Sequence, residues 1–361
     1  MKYLINTKSK VPAYQQLYIQ IRDDIIKGLY PLNSKLPSKR TMASDTGTSV
    51  ITIEHTYALL CDEGYIESRE RSGYFVIFRI EDGFVSSCSK NITFNTTPHN
   101  TEQIEFPFSV LTKTMRTVIN DLGENILLRS PNHGCVELRE AIRVYLAQSR
   151  GIVADISQII IGSGSEYLYT LLIELLGRNL VYAIESPSYK KIEDVYTAAE
   201  INIIKLPLGH NGIESKALKD SQADILHISP YRSYPSGVTA TASKRHEYLR
   251  WADTNNRFII EDDFESEFSI SKKPVETLFS HTSRDNIIYM NTFSKTISPS
   301  LRVGYMILPK PLVEKFNKKI GFYSCTVPTY IQLVIAKLIS NGDFERHINR
   351  VRRYKRKMLE T

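Results

Sequence analysis

Apolar residues recur at helical spacing near the start of the chain. Tyr14, Leu17, Ile21 and Ile25 follow at intervals of three, four and four, the stripe of an amphipathic helix. Pro12 stands where that helix begins and Gly28 where it stops. Leu36-Pro37-Ser38 offers Ser38 as the N-cap of a short second helix carrying Met42 and Ala43. Asp45-Thr46-Gly47 reads as a turn. Thr48 or Ser49 then caps a third helix whose buried stripe is Ile53, Tyr57 and Leu60, and Glu63-Gly64 breaks it. Tyr65-Ile66-Glu67-Ser68 and Tyr74-Phe75-Val76-Ile77 read as two short strands around Arg69-Glu70-Arg71-Ser72-Gly73.

Residues 79–104 are rich in Ser, Thr and Asn, lack periodicity and read as a linker. From about Phe106 short β-branched runs alternate with helical stretches. The runs are Ile159-Ile160-Ile161, Leu180-Val181-Tyr182-Ala183-Ile184, Ile225-Leu226-His227-Ile228, Phe258-Ile259-Ile260, Ile287-Ile288-Tyr289-Met290 and Val303-Gly304-Tyr305-Met306-Ile307-Leu308. This alternation predicts an α/β fold with a mostly parallel sheet covered on both faces. The expected organisation is a small helical unit over 1–78, a linker over 79–104 and an α/β domain over 105–361.

Composition narrows the class. In 361 residues, 42% are apolar and 24% charged, ordinary values that argue against long disorder, collagen or coiled coil. No apolar run is long enough to span a membrane, and the N-terminus has no signal-peptide core. Cys61, Cys88, Cys135 and Cys325 are scattered, which disfavours structural zinc and a disulfide framework and fits a reducing, cytoplasmic setting. No metal site is expected. The net charge is +7, with +4 in residues 341–361 and +3 in residues 1–80, a balance compatible with nucleic acid.

Helix, helix, turn, helix and a two-stranded ribbon outline a winged helix-turn-helix, whose second helix of the pair lies in the major groove. Ser38 caps its first helix. Thr48, Ser49, Ile51 and Thr52 would face base edges, and Arg40 can reach a phosphate or a guanine. Arg69, Arg71 and Gly73 form the tip of a basic wing. Leu36-Pro37-Ser38-x-Arg40, Gly47-x-Ser49-x-x-Thr52, Tyr57-x-x-Leu60-x-x-x-Gly64-Tyr65-Ile66 and Gly73-Tyr74-Phe75-Val76 together resemble the GntR family of bacterial repressors. That family usually has Arg where this chain has Val50, so an altered operator preference is expected.

Four later segments suit one cofactor. Gly162-Ser163-Gly164-Ser165-Glu166 follows a strand and opens a helix, an anion-binding arrangement. Tyr189 follows another strand, at the sheet edge where ligands bind. Glu261-Asp262-Asp263-Phe264 places carboxylates at a strand end, where one can hold a protonated ring nitrogen. Thr292-Phe293-Ser294-Lys295-Thr296-Ile297-Ser298-Pro299-Ser300-Leu301-Arg302 combines hydroxyls, a lysine suited to Schiff-base chemistry when partly desolvated, and an arginine able to grip a phosphate.

These segments resemble fold-type I aminotransferases, and the whole chain resembles the MocR-type regulators, in which a GntR head precedes an aminotransferase-like domain. The resemblance implies a three-layer α/β domain that binds pyridoxal 5'-phosphate. It implies Lys295 as the Schiff-base lysine, Asp262 beside the ring nitrogen and Tyr189 stacked on the ring. Ser163, Gly164, Ser165, Thr292, Ser294 and Arg302 would surround the phosphate. Phe264 replaces the family's usual Tyr, whose hydroxyl contacts the cofactor. The loop Ser229-Pro230-Tyr231-Arg232-Ser233-Tyr234-Pro235-Ser236-Gly237 would cover the other side of the ring. The chain ends where the family continues into a C-terminal small domain carrying a carboxylate-binding Arg, and its basic end reads as a helix face.

The leading expectation is a dimeric, DNA-binding transcriptional regulator whose second domain binds pyridoxal phosphate and an amino-group-containing effector. The rival is a working aminotransferase with an accessory DNA-binding head. A third reading is a DNA-binding protein with an inert second domain.

Overall fold

A computed structural model describes residues 3–6, 9, 11–79, 105–254, 257–264, 266–269, 276–281 and 285–360. The chain divides into two compact units, Met1–His99 and Asn100–Thr361. Apart from Arg79, the expected linker lies outside the described residues.

The first unit contains α1 (Ala13–Ile26), α2 (Lys39–Thr46), α3 (Val50–Asp62), β1 (Ile66–Arg69) and β2 (Gly73–Val76). Leu17, Ile21 and Ile25 of α1 meet Met42, Ile53, Tyr57 and Leu60 in one core, which also takes Tyr18, while Tyr14 is only half-buried. Asp45 and Thr46 belong to the last turn of α2. Gly47 ends it in a left-handed conformation at φ +66°, which an L side chain adopts only with strain. Ser49, not Thr48, caps α3, its side chain accepting from the Thr52 N–H. β1 and β2 pair antiparallel from Ile66 opposite Val76 to Arg69 opposite Gly73, one residue later at the start of β1 and one earlier at the start of β2 than the apolar pattern predicts.

The second unit opens with α4 (Phe108–Leu122) and α5 (Val136–Arg150) and then builds an eight-stranded sheet. In chain order follow β3 (Ile159–Gly162), α6 (Ser165–Leu176), β4 (Val181–Ser186), α7 (Lys190–Ala198), β5 (Asn202–Gly209), β6 (Gly212–Ile213), α8 (Ser215–Asp220) and β7 (Ile225–Ile228). Then come α9 (Ala242–Ala252), β8 (Phe258–Asp262), α10 (Leu278–His281), β9 (Ile287–Thr292), β10 (Gly304–Ile307), α11 (Lys310–Lys319), α12 (Thr329–Ser340) and α13 (Asp343–Glu360).

Strand order is β3-β10-β9-β8-β7-β4-β5-β6. The centre is parallel, whereas β10 runs antiparallel to both β3 and β9, and β6 antiparallel to β5. All six apolar runs are strands. β5 and β6 are additions: Lys205 and Pro207 give β5 the mixed polarity of a strand near a sheet edge.

Period-two alternation explains the three layers. Ile159 and Ile161 pack toward α5 and α12, while Ile160 packs toward α6 and α11. Farther along the sheet, Leu226, Ile259 and Ile287 face α8 and α9, and Ile260 and Ile288 the opposite layer. α13 buries Phe344, Ile348 and Val351 and turns most of its arginines and lysines outward. No helix among the described residues is long and apolar enough to cross a membrane.

Candidate functional site

In the first unit the candidate DNA-facing hydroxyls hold helix ends. Ser38 Oγ accepts from the Thr41 N–H at 3.1 Å and Ser49 Oγ from the Thr52 N–H at 3.1 Å. Thr48 Oγ1 lies 2.8 Å from Thr46 Oγ1. Beside them Val50 and Ile51 are exposed at 43% and 65%, so the start of α3 presents apolar surface. Arg40 is exposed on α2. The two wing arginines differ. Arg69 bonds Glu67 at 2.6 Å, with its guanidinium 4.4 Å from the Phe75 ring centre. Arg71 stands exposed at the tip with φ +58°. A side chain at Gly73, φ +109°, would meet Lys35 Cε at 3.0 Å, so the wing packs closely on that lysine.

In the second unit the site forms at one edge of the sheet. Gly304 of β10 pairs with both Gly162 and Thr292, bringing the ends of β3 and β9 to the same level. Asp262, at the end of β8, pairs with Met290. The turn after β3 enters α6 through Gly164, φ +87°, where an added Cβ would stand 2.9 Å from Arg302 Nη2. Arg302, itself left-handed at φ +49°, therefore lies across the start of α6. Ser163 Oγ sits 2.9 Å from Thr326 Oγ1, and Ser165 opens the helix.

Arg302 Nη2 donates to Glu166, whose other oxygen is 3.1 Å from Lys191 Nζ. Burial works to raise the Glu166 carboxyl, but Lys191 and Arg302 outweigh it and hold it below the usual range.

Asp262 is 3% exposed. Its Oδ2 accepts from the Tyr169 hydroxyl and lies 3.7 Å from His227 Nε2, while Oδ1 is buried with no hydrogen-bond partner among the described residues. Behind it His227 Nδ1 meets the Tyr196 hydroxyl at 2.7 Å. Tyr189 precedes α7, and its ring stands edge-on to that of Tyr234 with centres 5.9 Å apart, which brings the loop 229–237 against it. Burial first, and then Glu166, raise the Tyr189 hydroxyl.

Thr292 is buried at the end of β9 and Ser294 is half-buried beyond it. Lys295 is exposed on the turn that follows β9. Phe264 is half-buried just past β8.

Several acids lie beneath. Arg150 bonds Asp263 at 2.7 Å, and Tyr289 donates to the same oxygen at 2.7 Å. Burial pushes Glu267 up to about 7, Glu185 to about 7 and Glu261 to about 8. The unfolded chain releases the Glu185 and Glu261 protons near pH 4.5, whereas the folded chain keeps them to about 7 and about 8. Across that window the folded state binds more protons, so stability falls as pH rises and levels off above about 8. Thermal melts from pH 5 to 8.5 should show this decline for the second unit. Glu185→Gln should flatten its lower half; an unchanged slope would remove Glu185 as a cause.

Comparison with known proteins places this geometry. The family described as "Bacterial regulatory proteins, gntR family" matches residues 13–76, and "Aminotransferase class I and II" matches residues 94–360. The chain is 35% identical to the uncharacterized HTH-type transcriptional regulator YdeL of Bacillus subtilis (strain 168), over 98% of this chain and 79% of that protein. The chain belongs to the MocR-type transcriptional regulators. This MocR-type chain is also 26% identical to the probable rhizopine catabolism regulatory protein MocR of Rhizobium meliloti, over 97% of its length and 76% of that protein. Among solved structures, a multiple substrate aminotransferase from Thermococcus profundus matches 70% of the regulator at a TM-score of 0.63 and 23% identity. The regulator spans 65% of that enzyme, just under two thirds, and the likeness is one of fold.

The residues of this MocR-type regulator fit pyridoxal phosphate. An unpartnered buried carboxylate oxygen suits a ring N–H, and a glycine that a Cβ would overfill lets Arg302 lie over the helix start where a phosphate gathers backbone N–H groups. Sequence reasoning missed Tyr169, His227 and Lys191. Tyr169 falls one helical turn after Ser165, and His227 is the one polar residue in an apolar strand run, so both left a signal. Lys191 left none, since it meets Glu166 only in three dimensions.

Proposed function

We propose that this protein is a regulator that binds operator DNA through α2, α3 and the β1–β2 wing, and senses an amine through pyridoxal phosphate held at the sheet edge. The unpartnered, buried Oδ1 of Asp262 carries the cofactor part of this reading. A buried acceptor without a donor is costly, and a pyridinium N–H satisfies it. When bound, pyridoxal phosphate supplies an aldehyde that condenses with amines and releases water.

This chain's residues supply the rest. Asp262 Oδ1 holds a proton on the ring nitrogen, and Tyr169 fixes the Asp262 rotamer through Oδ2. Arg302 and the backbone of residues 163–165 bind phosphate. Tyr189 and loop 229–237 shield the ring from water. Lys295 provides the amine that an effector amine replaces. Such replacement regulates only if it favours one DNA-binding state over another. Gel shifts with an operator fragment, with and without cofactor and amines, test that coupling. A coupled keto-acid assay on the same protein separates a regulator from a turning-over aminotransferase.

Arg40 sits on the first helix of the DNA-binding pair, the one that crosses the backbone. Arg40→Ala is expected to weaken binding to all sequences alike and to lower the salt slope by about 1. Unchanged affinity at two salt concentrations would take Arg40 out of the interface.

A further inference from the structure

Glu166 is a negative charge inside a site built for a negative group. It occupies the first turn of α6, where the helix end favours anions. Its two oxygens take two cations from separate elements, Lys191 at 3.1 Å from α7 and Arg302 from the turn before β10. Gly164 leaves the room that lets Arg302 reach it. The carboxylate therefore uses the same helix end and the same arginine that a phosphate needs. Glu166 is not marooned on the surface, since its side chain is 30% exposed against 49% for Arg302 and 54% for Lys191.

We propose that Glu166 is an internal ligand of the phosphate cup, holding Arg302 in place of a phosphate and having to release it when a phosphorylated ligand enters. This rests on the cofactor reading above for the identity of the natural ligand, but not for the competition itself. Two carboxylate oxygens and two cations leave the cluster at +1, too little to neutralise a dianion alone. Removing the carboxylate charge raises that to +2 without touching the backbone donors. Affinity for phosphorylated ligands should then rise, while affinity for the same ring without phosphate stays put. The Lys191–Glu166 contact explains why Glu166 need not leave the cup altogether: it can keep Lys191 and give up Arg302.

The experiment compares the full chain with Glu166→Gln, using three probes: pyridoxal phosphate and pyridoxal by absorbance titration, and inorganic phosphate by calorimetry. Thermal melts check that the variant folds. Expected in Glu166→Gln is roughly five- to tenfold tighter binding of pyridoxal phosphate and of inorganic phosphate, with pyridoxal within twofold of the original, the size of one charge interaction near a protein surface. Equal phosphate affinity in the two proteins overturns the proposal. So does weaker binding in the variant, which would make Glu166 a strut that positions Arg302. No phosphate binding by either protein overturns it as well. If inorganic phosphate responds as expected but pyridoxal phosphate binds no better than phosphate alone, the cup proposal stands and the cofactor reading fails. Should Glu166→Gln not fold, Glu166→Ala and Lys191→Met serve: the first should tighten phosphate binding and the second should loosen it, and the opposite order overturns the proposal.

Discussion

Lys295→Ala is expected to abolish covalent capture of pyridoxal phosphate. The protein loaded with cofactor should absorb near the violet edge of the visible range and lose that band in the variant. Borohydride reduction followed by peptide mapping should place the label on Lys295. The argument is one of placement. The turn carrying Lys295 is pinned on both sides, because Phe293 and Ile297 are buried and the Ile297 N–H bonds the Phe293 carbonyl at 2.8 Å. Phe293 in turn bonds the Val303 carbonyl at 2.8 Å. The backbone of Lys295 is thereby fixed, so only its side chain has to move to bring the amine to the cofactor. A label on Lys191, or none on protein saturated with cofactor, would reject the assignment. The effect is all-or-none for the covalent bond; phosphate binding at Arg302 should survive.

Much of this arrangement was legible in the sequence, and what was legible was local. Ser38 and Ser49 announce helix starts because a hydroxyl before an apolar stripe satisfies a free N–H, and both do so in the structure. Six apolar runs become strands because strands covered on both faces need no polar alternation, both in the parallel centre and in the antiparallel β3 and β10. The direction of β10 was not legible, since Val303-Gly304-Tyr305-Met306-Ile307-Leu308 reads the same whichever way it pairs. β5 escaped because Pro207 and Lys205 break the run, and a strand near an edge tolerates both.

The site divides the same way. Asp262, Arg302 and the glycine-serine turn were found as types in a pattern. Their partners were not, because the Arg302–Glu166 contact spans 136 residues and the Tyr169–Asp262 contact 93. A sequence shows that a carboxylate follows Ser165. It does not show that this carboxylate meets an arginine from the turn before β10, the strand paired beside β3. The exposure of Lys295 is of the same kind, because solvent access depends on neighbouring loops and not on the lysine's own run.

Arg150→Met is expected to destabilise the second unit by about 3–5 kcal/mol, the usual cost of breaking a buried ion pair from one side. Arg150 and Asp263 are 6% and 0% exposed. Burial opposes the Arg150 charge, but Asp263 first, then Tyr289 and Glu267, hold the guanidinium protonated. Asp263 follows Asp262 directly, and Glu261 and Glu267 are buried close by. The arginine is therefore the cation that lets several carboxyl groups share one interior. Without it, Asp263 keeps its bond from Tyr289 but loses its counter-charge, and must either bury a bare charge or take up a proton. Met fills much of the same volume, so a cavity contributes little. Urea unfolding followed by a probe in the second unit measures the loss. Arg150→Met with Asp263→Asn should recover most of it, because the amide oxygen still accepts from Tyr289 and no charge is stranded. If the single variant is as stable as the parent, the pair contributes nothing net. If the double variant is no better than the single, Arg150 acts through packing and not through its charge.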